Sequence, residues 1–241
     1  VGAERESVIE ALDLTIDAHV HTGFAAGRDS VGVVVSAADQ AGLTALTFAD
    51  QVGPETTWLS AYADAVRRAR QRTEMTLRVA AEVEVVQPDG WLAWPTDLGH
   101  LEAVSVAVSR LPLNHGLYAP REVRAMLTTG ELTPEQVAEG LVTATVQGLQ
   151  RASRYAPTQL ARPLSLLAQV GLDDAVITPD LAAAFASACR ETGTLVEISE
   201  AWRCPSARLV ALLRAAHVTL VPASDARYAA EVGHWQYVRR V

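Results

Sequence analysis

Short apolar runs alternate with longer stretches of helical period from one end of this chain to the other, and that alternation constrains the fold more than any other feature. The runs Leu14–Ala18, Ala45–Ala49, Leu77–Val86, Ala103–Val108, Leu160–Leu164, Thr194–Ile198 and Val218–Pro222 have strand length. Between and after them, Ser30–Ala41, Thr57–Arg72, Arg121–Leu127, Pro134–Tyr155, Pro179–Glu191, Ser206–Ala216 and Ala226–Arg240 read as helices. Strands that alternate with helices are parallel strands, because each return to the same end of a sheet needs a crossover, and the helices shield the sheet. No Gly-rich phosphate loop follows the first run, which favours a closed barrel over an open dinucleotide-binding sheet. Composition does not break anywhere along the 241 residues, no repeat or low-complexity tract is present, and 49% of the residues are apolar, enough for one core spanning residues 1–241. The longest irregular stretch, residues 87–100, contains "DGWLAWP" and is expected to fold its tryptophans back over the barrel, where Trp91 and Trp94 serve either as packing or as a substrate wall.

In a barrel the chemistry lies at the C-terminal strand ends, and polar residues gather there. Asp17, His19 and His21 come with the first run, Asp50 and Gln51 with the second, Glu82 and Glu84 with the third. Ser109 and Arg110 follow the fourth, Arg162 closes the fifth, Glu197 and Glu200 flank the end of the sixth, and Asp225 and Arg227 follow the seventh. Such a ring is costly if buried without partners, so it reads as a site. Within "TIDAHVHT", residues two apart share a strand face with about 6.6 Å between their Cα atoms. His19 and His21 can therefore converge on one ion, or each can be satisfied by local hydrogen bonds.

The charge excludes other classes. A net charge of -8, with no cluster of Lys and Arg among aromatics, argues against nucleic acid. No apolar run reaches the roughly 18 to 20 residues of a membrane span, and "VGAERESVIEAL" is too charged for a signal-peptide core. Cys189 and Cys204 form no Cys-x-x-Cys pair and fit a reducing compartment. A soluble, cytoplasmic protein is expected, although a chain starting at Val1 leaves a removed leader open. No Gly-x-Ser-x-Gly elbow marks a serine nucleophile. His115, in "LPLNHGLY", is either a mobile acid near the mouth or a solvated loop residue, and His100, His217 and His234 are expected at the surface or in packing.

The motifs resemble those of the PHP superfamily, named for polymerase and histidinol phosphatase. "DAHVHT" resembles its first motif, and "FAAGRDS", "LTFADQVG", "RVAAEVEVV", "AVSVAVSRLP", "QLARP" and "LVPASDAR" follow in order over almost the whole chain. The resemblance implies a distorted, TIM-like (β/α)7 barrel holding up to three metals and hydrolysing phosphoesters. This chain departs from the pattern at four histidines. Gln51 follows Asp50 where Asp-His is usual, Ser109 ends the Ser-Val-His stretch, Arg162 stands in Ala-His-Pro, and Arg227 ends Ser-Asp-Ala-His. His19, His21, Glu82 and Asp225, which by the pattern surround one ion, are all present, and Glu84 is in step with Glu82.

The resemblance therefore implies one divalent ion, zinc, manganese or iron, in place of three. Arg162 and Arg227 bring fixed charge near the positions of the other cations. They either grip an anion, joined by Arg28 with Ser109 and Gln51 nearby, or form ion pairs with Asp50 and the other carboxylates left without metals. The expected activity is hydrolysis of a small phosphorylated or carboxylated metabolite, with Asp50 taking a proton and Arg162 and Arg227 orienting the anion. Two alternatives stand beside it: an inactive barrel that binds a small molecule or a partner, and a metal-assisted lyase, decarboxylase or isomerase. Oligomeric state is not legible.

Overall fold

A computed structural model describes residues 11–241, so the charged residues 1–10, expected to belong to the same domain, lie outside the described part. A strand forms at each expected run, as β1 (Ile16–Val20), β2 (Ala45–Val52), β3 (Thr76–Glu84), β4 (Ala103–Ala107), β7 (Thr158–Leu160), β8 (Leu195–Ser199) and β9 (Leu220–Ala223), although β7 shares only Leu160 with the expected Leu160–Leu164. They make one seven-stranded parallel sheet in the order β1-β2-β3-β4-β7-β8-β9. The sheet curls until its ends meet just beyond the strands. Val20 bridges Ala226 in parallel, the His21 amide donates to the Ala226 carbonyl at 2.9 Å, and the Asp225 amide donates to the His19 carbonyl at 2.9 Å. The result is the nearly closed (β/α)7 barrel that the alternation predicts.

Helices cover the outside: α1 (Val31–Gln40), α2 (Leu59–Arg70), α3 (Pro120–Thr129), α4 (Pro134–Ala152), α5 (Ser165–Val170), α6 (Pro179–Glu191) and α7 (Ala207–Ala215). Their starts are legible because the caps are local. The side chains of Ser30, Thr133, Thr178 and Ser206 accept the amides of Val33, Gln136, Leu181 and Leu209, and Pro134 and Pro179 occupy first-turn positions that have no amide hydrogen to satisfy. Outward strand residues pack on them. Val20, Leu46, Phe48 and Val79 meet α1 and α2, while Val83, Val104, Val106, Leu160 and Val196 form a second cluster with α4 and α6. Close approach of α4 depends on Gly148, where an added Cβ would lie 2.6 Å from Val85 Cγ2.

Three parts differ from expectation. A hairpin, β5 (Leu111–Leu113) with β6 (Gly116–Tyr118), leaves the barrel after β4, and its exposed turn carries His115. The tryptophans of residues 87–100 turn away from the barrel mouth: Trp94 stacks edge-on against Tyr155 at 5.4 Å, and half-exposed Trp91 lies under the Arg151 guanidinium. They pack against the end of α4.

The third is the final segment, expected as a helix over Ala226–Arg240, which forms only 3-10 turns at Ala229–Glu231 and Val238–Arg240. Carboxylates take the amides that a helix would use internally. Asp29 accepts from Ala229, Glu231 from Arg227 and Tyr228, Asp17 from Gly233, and Glu200 from Gln236, Tyr237 and Val238. Gly233, at φ 71, sits where an added Cβ would lie 3.1 Å from Ala41 Cβ. No helix among the described residues is long and apolar enough to cross a membrane.

Candidate metal centre and its surroundings

Strand alternation builds the centre. Asp17 and His19 share the inner face of β1 while Val20 packs outward, and Glu82 and Glu84 share a face of β3. β2 runs further than its apolar run suggests, so Asp50 and Gln51 lie within it, with Gln51 in register with Glu82. β7 stops before Arg162, and Arg162 (φ 35) and Asp225 (φ 54) adopt left-handed backbone, uncommon for side-chain-bearing residues and found where structure holds a residue for function.

His19, His21 and Glu82, all buried, each offer a ligand atom within 4.8 Å of the others. His19 Nε2 lies 3.3 Å from Glu82 Oε2, and the two imidazole centroids are 4.8 Å apart. The other nitrogen of His19, Nδ1, is 2.7 Å from Glu197 Oε1, a carboxylate also reached by the Gln159 amide at 2.6 Å, the Ser105 hydroxyl at 3.3 Å and the Arg162 amide at 3.0 Å. Glu197 thereby fixes the ring and directs Nε2 at the cluster, as partners of metal-binding histidines do. Asp225 joins through His21, Oδ1 lying 2.8 Å from Nε2.

The cluster has unmet valence. His19 Nε2, His21 Nδ1 and Asp225 Oδ2 are buried and have no hydrogen-bond partner among the described residues, a costly state for polar atoms. Charge tells the same story. Among the described residues, the buried side chains include the carboxylates Asp17, Asp50, Glu82, Glu197 and Asp225 against the one guanidinium of Arg162. Burial works against protonation of His19, yet Glu197, Glu82 and Asp225 outweigh it and hold the imidazole well above its usual range. A field that favours a proton on His19 also favours a divalent cation there. Imidazole and carboxylate donors fit zinc, manganese or iron.

Arg162 is buried among these carboxylates. Its Nη1 and Nη2 each donate to Glu82 at 2.6 Å, Nη2 also donates to the Ser109 hydroxyl at 2.8 Å, and Nη1 lies 3.6 Å from Asp225 Oδ2. The Trp202 ring covers it at 5.4 Å. Burial opposes the charge of Glu82, but this guanidinium and His19 hold its carboxyl well below the usual range. Asp225, likewise buried, is lowered by His21, His19 and Arg162.

The remaining expected residues divide. Gln51 donates to Glu82 Oε1 at 3.0 Å, and Ser109 is anchored to Glu84 through its amide at 2.7 Å and its hydroxyl at 2.8 Å. Asp50 accepts from the amide and hydroxyl of Thr22, lies 3.8 Å from His21 Nδ1, and is raised by burial. Arg227 and Arg28 are exposed and do not pair with Asp50. Arg28 faces a cavity of about 740 Å³ between α1 and α2 that also exposes Arg68 and Arg72, outside the barrel. Arg227 faces a different cavity, of about 560 Å³, whose lining includes Asp225, Trp202, Arg203 and His234.

Arg203, Trp202 and His234 were not legible as site residues, because no local motif carries them. His234 is assigned to the surface or to packing by sequence, and it reaches the cavity only because the final segment is not a helix. Glu197 is legible as a member of the polar ring but not as the partner of His19. His100 pairs with Asp97, and His217 is exposed at the end of α7.

No family model and no curated protein matches the sequence. Solved structures do match the fold. A Listeria monocytogenes structure described as the histidinol phosphatase HisK aligns at a TM-score of 0.71 with 11% identity, over 91% of this chain and 97% of that one. The histidinol phosphate phosphatase HisK of Lactococcus lactis, solved with zinc, L-histidinol and phosphate, aligns at 0.64 with 12% identity, over 93% of this chain and 92% of that one. The chain thus has the histidinol phosphatase fold, which is the barrel its motifs resemble.

Proposed function

We propose that this barrel is a hydrolase that works with one divalent ion on a small anionic metabolite, phosphorylated or carboxylated. The observation that carries the reading is the buried convergence of His19, His21 and Glu82, with Asp225 alongside and unsatisfied atoms on His19, His21 and Asp225. A fold shared with a phosphatase solved with zinc and phosphate supports it.

When bound, the ion supplies a Lewis acid and a water of lowered pKa. The chain's own groups do the rest. Glu197 holds His19 in one orientation. Asp50, raised by burial, is placed to take a proton beside His21. Arg162 occupies both oxygens of Glu82 and approaches Asp225, so its fixed charge fills the room and the charge deficit that a second cation would need. That argues for one ion. It also makes Arg162 a positioning residue that stiffens Glu82, leaving the anion to groups nearer the mouth, with Gln51 at its edge.

The same bidentate pair favours a second reading, in which Arg162 and Glu82 close a silent ion-pair network and the barrel only binds. Metal analysis of the protein purified without chelator decides between them. One equivalent of zinc, manganese or iron per chain, lost in His19→Ala and His21→Ala, together with release of phosphate from phosphorylated metabolites, is expected. Metal-dependent turnover without phosphate release would move the assignment to a non-hydrolytic enzyme. No ion bound after metal is offered back would overturn the metal mechanism.

A further inference from the structure

The cavity beside Asp225 has a charge arrangement that the metal centre does not need. It is lined on one side by the loop after β8, with Trp202 and Arg203, and on the other by the segment after β9, with Arg227 and His234. Of its acidic members, Glu200 and Glu231 are already engaged by backbone amides, and Asp225 belongs to the histidine cluster. Glu200 accepts the amides of Gln236, Tyr237 and Val238 at 2.8 to 3.0 Å, and Glu231 accepts those of Arg227 and Tyr228 at 2.9 and 3.2 Å. Its basic members are not: Arg203 and Arg227 are exposed, and neither guanidinium forms an ion pair or side-chain hydrogen bond among the described residues. Arg203 is also held at φ 49, an unfavourable backbone for a side-chain-bearing residue, in a loop whose neighbour Cys204 is tied to Ser199 by a 2.7 Å backbone bond.

From this we infer that Arg203 and Arg227 form an oxyanion subsite for the non-reacting end of the substrate. The inference rests on the proposed hydrolase for the reacting end of the substrate: of the cluster residues, Asp225 lines this cavity, and its Oδ1 lies 2.8 Å from His21 Nε2. Guanidinium forks pair with phosphate or carboxylate through two parallel hydrogen bonds, and about 560 Å³ suits a small metabolite. The substrate class is thus a metabolite with two functional ends: a reacting group at the metal cluster and a phosphate or carboxylate at the rim. Arg28, which opens on the cavity between α1 and α2, takes no part, and neither does Arg162, which is committed to Glu82.

Calorimetric titration of the full chain, zinc-loaded and EDTA-treated, with inorganic phosphate and separately with succinate tests this. At least one anion should bind the EDTA-treated protein, which separates the arginines from the ion, and the anion that binds more tightly identifies the group at the rim. Arg203→Gln/Arg227→Gln should weaken that binding tenfold or more, with unchanged melting temperature and zinc content. Absence of binding by both anions once metal is removed, or wild-type affinity in the double variant, overturns the subsite. Failure of zinc, manganese and iron alike to bind would instead remove the hydrolase reading and leave this result standing.

Discussion

At the scale of single residues, the hydrogen bond between His19 Nδ1 and Glu197 decides which nitrogen faces the cluster. Glu197→Gln keeps an acceptor but loses the charge that makes the opposite nitrogen a better donor to a cation. Zinc affinity should fall about 10- to 100-fold, read by competition with a chromogenic chelator, while the fold is retained. Arg162 makes a sharper test of electrostatics. Arg162→Ala removes both guanidinium donors from buried Glu82 and leaves it Gln51 and the His19 imidazole, so in EDTA the variant should lose about 3 kcal/mol in urea unfolding, the low end for breaking a buried pair. An unchanged midpoint would show that the pair contributes nothing. Legibility at this scale follows the range of the interaction. His-x-His is readable because alternation is a local rule, whereas the link from His19 to Glu197 spans most of the chain and depends on closure of the barrel, which leaves only β9 between β1 and β8.

At the scale of elements, the helix ends offer a controlled comparison. After α1 and α6 the chain reverses through Gly42 (φ 75) and Gly193 (φ 64), with paired bonds from Gly42 to Asp39 and Leu43 to Ala38, and from Gly193 to Arg190 and Thr194 to Cys189. The end of α7 makes the same pair, His217 to Arg214 and Val218 to Leu213, with an exposed histidine at φ 57 in the glycine's place. His217→Gly should therefore stabilise the protein by about 1 kcal/mol, measured by chemical unfolding. Helices with their own caps and periodicity, such as α4 and α6, are placed by sequence to within a few residues. The final segment is not, since its amides are taken by Asp17, Asp29 and Glu200 from distant parts of the chain. Apolar and helix-forming residues there satisfy a local pattern that tertiary acceptors override.

At the scale of the whole molecule, closure of the barrel and assembly of the centre share the same atoms. The sheet's ends are joined by a bridge at Val20 and Ala226 and by the amides of His21 and Asp225, and the side chains of those last two residues are themselves part of the cluster. Whatever binds these side chains must also resist parting of the join, because ligand binding stabilises only the closed state, by about 2.7 kcal/mol when the free ion stands at a hundred times its dissociation constant. Hydrogen–deuterium exchange should accordingly slow at the His21 and Asp225 amides on adding zinc, while the amides of α4, which packs on β4 and β7 away from the join, stay unchanged. Equal protection everywhere would uncouple the two. The join is thus a clasp on a hoop: a cation that fastens it would make the opening and closing of the barrel answer to metal supply, so that starvation for the ion would expose the chain to proteolysis at its seam before its helices loosen.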